Sequence, residues 1–252
     1  AIVTCEDLPN LTDGDRDLFD VLENCMARGR ALYDGHAVAA VAAVDATTAK
    51  KALDLIKVTY KALPHVTDVD EAMKPDAPLV QPRVFTRGIS PKPKSPSNIA
   101  RISEFGHGDV DAGFAQADVV IEKSYKTEQA HQGYIEPHVT TVLWKQDGSI
   151  TVWVSTQGAF QIREQVAEVL QVPISKVKVI PCEIGGGFGG KFPIYLEPAA
   201  AVLSHKTGHP VKMAMTRAEV FEGSGPAPGG YIKCKMGVTN DGRIVAAEAY
   251  MA

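Results

Sequence analysis

The amino-acid sequence predicts an α+β protein: a small α/β layer at the front and a larger, mixed α+β part behind it. Three observations lead there. Short β-rich runs alternate with segments of helical period, a proline-rich stretch within residues 81–107 separates two such regions, and Asn240-Asp241-Gly242 sits between two β-rich runs near the end. The 252 residues carry 26 basic and 30 acidic side chains, a net charge of −4, and 45% of them are hydrophobic. That balance suits a folded core and is too apolar for disorder. A weakly acidic chain has no electrostatic footprint for nucleic acid or an anionic membrane. No apolar run nears the roughly 18 residues of a membrane span.

Element by element, Ile2-Val3-Thr4 reads as a strand. Asp15 to Arg28 places Leu18, Phe19, Leu22 and Met26 on a helical period, with Gly29 as the stop. Ala37 to Val44 is a nearly continuous apolar run, suited to a strand buried on both faces. Asp45, Thr47 and Thr48 offer caps for a helix from about Ala49 to Ile56, and Val58-Thr59-Tyr60 returns as a strand. These elements make a first domain over residues 1–80. Pro82, Pro91, Pro93 and Pro96, with Lys92 and Lys94, cannot build a core, so residues 81–107 form a connector.

A second domain is expected over residues 108–252. Gly108-Asp109-Val110 leads into a short helix, and strands follow at Val119–Tyr125, Val139–Trp144 and Ile150–Val154, the last two joined at Asp147-Gly148. Ala159 to Leu170 reads as a helix with Phe160, Ile162, Val166, Val169 and Leu170 inward, and Pro173 ends it. A strand at Val177–Ile180, a helix at Leu196–Thr207 and a strand at Val211–Met215 come next. Ile232–Val238 and Ile244–Met251 form the closing hairpin. That last strand runs into the terminus and the chain opens on Ala1 rather than Met, so a fragment of a longer polypeptide is expected.

Cys5, Cys25, Cys182 and Cys234 lie far apart, with no pairing at zinc spacing, and read as reduced thiols of an intracellular, cytoplasmic protein. His131 and His138 are separated by Pro137, which opposes a helix that would align them as ligands. The histidines are expected as hydrogen-bonding residues of loops and core.

Chemistry is legible in one place, Cys182-Glu183-Ile184-Gly185-Gly186-Gly187-Phe188-Gly189-Gly190-Lys191-Phe192. Glycines packed between a strand and a helix let backbone amides approach a ligand closely. Gly185, Gly187 and Gly190 fit a dinucleotide fingerprint, but the window Ser204 to Pro210 lacks the carboxylate that would hold a ribose. Gly185, Gly190 and Lys191 fit a phosphate loop, but Phe192 stands where a magnesium-binding hydroxyl is needed.

The third reading is a family resemblance. The run Gly185 to Lys191, about 30 residues after Thr156-Gln157, resembles the molybdopterin-binding domain of the xanthine dehydrogenase/aldehyde oxidase family. These molybdenum hydroxylases include the large subunits of aerobic carbon monoxide dehydrogenase. Asp34 to Val41 and Val58 to Pro64 resemble the family's hammerhead domain. Gly108-Asp109-Val110, Ala115 to Asp118 and Ile135-Glu136-Pro137-His138 resemble the opening of its molybdenum domain. The stations follow one another in chain order over nearly the whole sequence.

The resemblance implies a molybdenum–molybdopterin cofactor held in part by Gln157, Gly187, Phe188 and Gly189, with Phe188 and Phe192 lining the substrate pocket. Phe188 would pack near a substrate ring, and Gly189 would turn a main-chain amide to the metal's ligands. The alternatives are a core aromatic for Phe188 and a helix-capping glutamine for Gln157. Purine-oxidising members carry a glutamate where this chain has Phe192; a phenyl ring cannot hydrogen-bond a purine nitrogen, which favours an aldehyde or an aromatic heterocycle. Lys191 reads as a loop-anchoring cation, and Glu136 and Glu197 as acids or structural partners. The general base would be a glutamate past Ala252, so no residue here takes that role and the chain alone would be inactive. Electrons would leave through 2Fe-2S and FAD groups on partner subunits or domains of an oligomer. Carbon monoxide oxidation is the alternative within the class, and a non-catalytic binding or assembly module the alternative outside it.

Overall fold

The computed structural model describes residues 1–10 and 22–252. Most of the helix expected over Asp15–Arg28 lies outside those residues; residues 22–25 are helical, with Leu22 and Met26 buried. In chain order the strands are β1 (Ile2–Thr4), β2 (Ala39–Val41), β3 (Val119–Thr127), β4 (Val139–Trp144), β5 (Ile150–Val154), β6 (Val177–Pro181), β7 (Val211–Ala214), β8 (Gly230–Val238) and β9 (Ile244–Met251). The helices are α1 (Ala46–Asp54), α2 (Val69–Ala72), α3 (Val110–Ala115), α4 (Ala159–Val169), α5 (Glu197–Thr207) and α6 (Arg217–Gly223). Contacts gather these α+β elements into two compact units, residues 1–84 with 132–225 and residues 85–131 with 226–252.

The first unit is built on a four-stranded sheet of order β6-β5-β4-β7. β5 and β6 run parallel, joined through α4, while β4 is antiparallel to both β5 and β7. Ile150, Val152 and Val154 alternate inward along β5, as a strand with one covered face requires. Helix α4 packs on β6 and α5 on β4 and β7. Ile162, Val166 and Val169 form the buried stripe of α4. Helix α5 is buried along most of its length, and the small side chains of Ala199, Ala200 and Ala201 let its backbone approach the sheet. It stops at Gly208, whose φ of +68° suits a left-handed cap. Each fully buried aliphatic side chain here contributes about 1.5–3 kcal/mol.

Three expectations in this unit are corrected. The apolar run Ala37–Val44 is a strand only at Ala39–Val41, paired antiparallel with β1, and Val44 is exposed. A three-residue partner gives the rest of the run no ladder to join. Val58-Thr59-Tyr60 is not a strand, because no neighbour pairs with it, and Val58 and Tyr60 are exposed. Phe160 faces solvent at 80% exposure rather than inward. Two residues from Ile162 is about 200° around a helix, which puts Phe160 on the opposite side. The first helix also starts earlier than expected, because Asp45 accepts the Thr48 N–H at 2.7 Å and caps residue 46 onward. Helix α6, not expected from the periodicity, opens on a capping box between Thr216 and Glu219, a pattern present in the sequence.

The second unit is the antiparallel sheet β3-β8-β9, with α3 lying against β8 and β9. Asp109 caps α3 by accepting the Ala112 N–H. Gly113 and Gly237 are places of close approach: a Cβ on the first would meet the Val245 carbonyl at 2.4 Å, and on the second the Phe114 ring at 3.0 Å. The hairpin turn closes at Gly242, with φ of +86°. Residues 81–107 carry no helix or strand, only an isolated bridge between Arg87 and Arg101.

Candidate functional site

The topology brings four separate stretches to one edge of the first unit's sheet. β5 and β6 are parallel neighbours ending in register, Val154 opposite Pro181, so the chains leaving their carboxyl ends emerge side by side. One carries Thr156-Gln157 and the other the glycine loop Gly185–Gly190. β4 is antiparallel to β5, so the residues just before it, Tyr134, Glu136 and His138, arrive at the same edge. β7 ends there too, and the Met215 N–H donates to the His138 carbonyl at 2.9 Å. A ligand site outside the carboxyl ends of parallel strands is the expectation for such sheets.

Gln157 joins the two emerging chains. Its Oε1 accepts the Gly189 N–H at 3.0 Å and the Lys191 N–H at 3.2 Å. In return the Gln157 N–H donates to the Lys191 carbonyl at 3.0 Å, and Thr156 Oγ1 donates to the same oxygen at 2.9 Å. With Oε1 held by two amides, the orientation of the side-chain amide is fixed, and Nε2 remains as a donor on an exposed residue. Gly187 lies beneath: a Cβ there would stand 2.5 Å from Gln157 Oε1 and 2.7 Å from its Cδ.

The loop itself is tightly folded. Gly190 N–H donates to the Gly187 carbonyl at 2.8 Å, and Phe188 takes a left-handed φ of +50° with its ring 73% exposed. Such a conformation costs a bulky residue roughly 1–3 kcal/mol and concentrates at functional sites. Among the described residues, the amides of Gly187 and Phe188 have no hydrogen-bond acceptor. The Gly189 amide is directed at Gln157; a Cβ on Gly189 would meet nothing within 4 Å, so the loop faces open space there. Phe192 is partly exposed, its ring 3.0 Å from where a Cβ on Gly158 would lie.

Beneath the loop lies a buried polar layer that the sequence only hinted at. The Lys191 side chain is fully buried and its Nζ is 2.7 Å from Glu136 Oε2, which also accepts the Gly185 N–H at 2.7 Å. Burial pushes the Glu136 carboxyl up, but the Lys191 ammonium and the Gly185 amide outweigh it and hold it below the usual carboxylate range. Lys191 Nζ also sits 4.9 Å over the Tyr134 ring. Tyr134 OH lies 2.6 Å from His138 Nε2 and 3.0 Å from Ser224 Oγ, and Arg217 donates to the Tyr134 and Ile135 carbonyls. Glu197 is elsewhere, at the start of α5, where its Oε2 accepts the Tyr195 N–H and burial raises its carboxyl. Thus Gln157, Gly187, Phe188, Gly189 and Lys191 are brought together with Glu136, while Glu197 is not among them.

These features suit an anionic, oxygen-rich group: an oriented amide donor, an exposed Phe188 N–H without an acceptor among the described residues, and open space at Gly189. Among the described residues, no three His, Cys, Asp or Glu side chains converge on a metal position. No helix among the described residues is long and apolar enough to cross a membrane.

Two family models match the chain. The family model for the molybdopterin cofactor-binding domain matches residues 92–252, and that for the aldehyde oxidase and xanthine dehydrogenase a/b hammerhead domain matches residues 1–64. The nicotinate dehydrogenase large molybdopterin subunit of Eubacterium barkeri is 33% identical over 229 residues, 91% of this chain and 51% of that protein. The xanthine dehydrogenase molybdenum-binding subunit of Escherichia coli is 32% identical over 254 residues, 97% of this chain and 32% of that protein. The chain thus spans about half or less of the length of these relatives. Among solved structures, reconstituted CO dehydrogenase from Oligotropha carboxidovorans superposes over all of this chain and 32% of its own, with a TM-score of 0.78 and 27% identity. Aldehyde oxidoreductase from Desulfovibrio gigas, at 19% identity and a TM-score of 0.78, shares the fold.

Proposed function

The chain belongs to the aldehyde oxidase and xanthine dehydrogenase family of molybdopterin-binding proteins, and on that premise we propose that its glycine loop and Gln157 form one wall of a molybdenum–molybdopterin site. The observation that carries this reading is the locked Gln157 amide: two backbone N–H groups hold Oε1 and leave Nε2, on an exposed residue, as a donor that adds no charge. When bound, the cofactor supplies oxidative hydroxylation of a carbon centre, with oxygen from water and two electrons removed from the substrate.

The chain's own residues bind and orient. Gln157 Nε2 and the exposed Phe188 amide would donate to the oxygen-rich face of the bound group, where removal from water strengthens each bond. Gly189 contributes by having no side chain, which lets the group approach the backbone. Phe188 and Phe192 present apolar rings to the substrate, which selects an aldehyde or aromatic heterocycle over a purine needing a hydrogen-bonding carboxylate. The general base comes from a part of the natural protein outside this sequence, and 2Fe-2S and FAD groups on partner subunits or domains of a cytoplasmic oligomer take the electrons. Carbon monoxide is the second reading, favoured by the likeness to CO dehydrogenase.

The test is molybdenum and pterin analysis of the natural full-length protein, with oxidation assays on aldehydes, aromatic heterocycles and carbon monoxide. About one molybdenum per chain and turnover of an organic substrate support the proposal. Turnover of carbon monoxide alone selects the second reading. A folded protein without metal or pterin contradicts both and leaves a binding or assembly module.

A further inference from the structure

We propose that Glu136 is a positioning residue whose single carboxylate oxygen closes both ends of the glycine loop and so sets the direction of the Gln157 donor. The inference rests on the cofactor reading above for its purpose, and on the geometry alone for its existence.

Glu136 and Gly185 bond twice. The Glu136 N–H donates to the Gly185 carbonyl at 3.2 Å, and the Gly185 N–H donates to Glu136 Oε2 at 2.7 Å. The same Oε2 accepts from Lys191 Nζ at 2.7 Å, so residues 185 and 191, at the two ends of the loop, meet on one atom. Glycine is required at 185, where a Cβ would stand 2.6 Å from the Glu136 Cβ. Lys191 is then tied at every polar group: Nζ to Glu136, N–H to Gln157 Oε1, and its carbonyl to Gln157 N–H and Thr156 Oγ1. Gln157 takes its orientation from Lys191, and Lys191 is held by Glu136.

An ion pair with one partner fully buried gives little net stability compared with an apolar pair of the same shape. What it does give is a single arrangement, because the ammonium has no other anion in reach among the described ion pairs. Moving Glu136 frees Lys191, and with it the two amides that lock Gln157.

The experiment is hydrogen exchange on the natural full-length protein and its Glu136→Ala and Glu136→Gln variants, with molybdenum content measured on the same samples. In Glu136→Ala, exchange at Gly185, Gly189 and Lys191 should rise at least about tenfold while the amides of α4 keep wild-type rates. Glu136→Gln keeps an oxygen acceptor and should restore most protection at Gly185 and part of the metal content lost in Glu136→Ala. Wild-type protection of Gly189 and Lys191 in Glu136→Ala would overturn the proposal, as would a rise spread equally through α4 and β5. If Glu136→Ala does not fold, Lys191→Met, which removes the other partner of the ion pair, decides by the Gly189 amide: faster exchange there with α4 unchanged supports the clamp, and wild-type protection overturns it. A wild-type protein that holds no molybdenum contradicts the functional reading alone, since the exchange pattern still decides the clamp.

Discussion

Replacing Gly187 by alanine tests the packing of Gln157 on the loop. The backbone at Gly187 is not left-handed, so alanine meets no left-handed strain there. The difficulty is space: the three atoms nearest a new Cβ are Oε1, Cδ and Cγ of Gln157, at 2.5, 2.7 and 2.9 Å. Contacts that short cannot persist, so Gln157 must swing away and release the Gly189 and Lys191 amides. Two hydrogen bonds at about 0.5–1.5 kcal/mol each put the cost at about 1–3 kcal/mol. For a protein of this size that lowers the thermal midpoint by roughly 2–4 °C per kcal/mol. The assay is a double-mutant cycle by urea unfolding with Gln157→Ala, which removes all three clashing atoms. Gly187→Ala should cost clearly less in the Gln157→Ala background, with a coupling of at least ~1 kcal/mol. Equal costs in the two backgrounds would refute the reasoning, because the clash would then lie with other atoms.

Other outcomes follow from the same geometry. Glu136→Ala should destabilise more than Lys191→Met, because it strands a fully buried ammonium, whereas the Glu136 carboxylate is 28% exposed and can be hydrated; urea unfolding of both variants measures the order. Two pH dependences should run in opposite directions. The Glu136 carboxyl is lowered on folding, so its contribution is present above the ordinary carboxylate value and lost as pH falls through the folded value; the stability advantage of wild type over Glu136→Gln shrinks on acidification. The Glu197 carboxyl is raised, so its contribution is present below the ordinary value and lost as pH rises, and Glu197→Gln gains on wild type as pH climbs from acid toward neutral. Thermal midpoints across that range read both slopes. Phe188→Gly should leave the midpoint unchanged or raise it, because it relieves a left-handed φ while removing an exposed ring, and substrate affinity should fall at the same time.

Much of the fold is legible in the residues. β4 and β5 fall at Val139–Trp144 and Ile150–Val154 as read, because alternation on a half-buried sheet leaves a period of two. The end of α5 is legible through Gly208. What fails is whatever depends on a partner: Ala37–Val44 and Val58–Tyr60 have strand composition, but pairing requires a neighbour that composition does not specify. At the site, the glycine run announces itself by chemistry, and Gln157 only through the family resemblance. Glu136 does not, since its meaning comes from the antiparallel arrival of β4 beside β5, and 55 residues separate it from Lys191. The signals available were the loop lysine and the glutamate ahead of β4, and only the register joins them.

The measurement that bears most directly on the proposed cofactor wall is the position of molybdenum in crystals of the natural full-length protein, located by its anomalous scattering. A peak is expected on the open side of the glycine loop, beside Gln157 Nε2 and the Phe188 amide. A peak remote from Gln157, or well-ordered crystals with none, would contradict it.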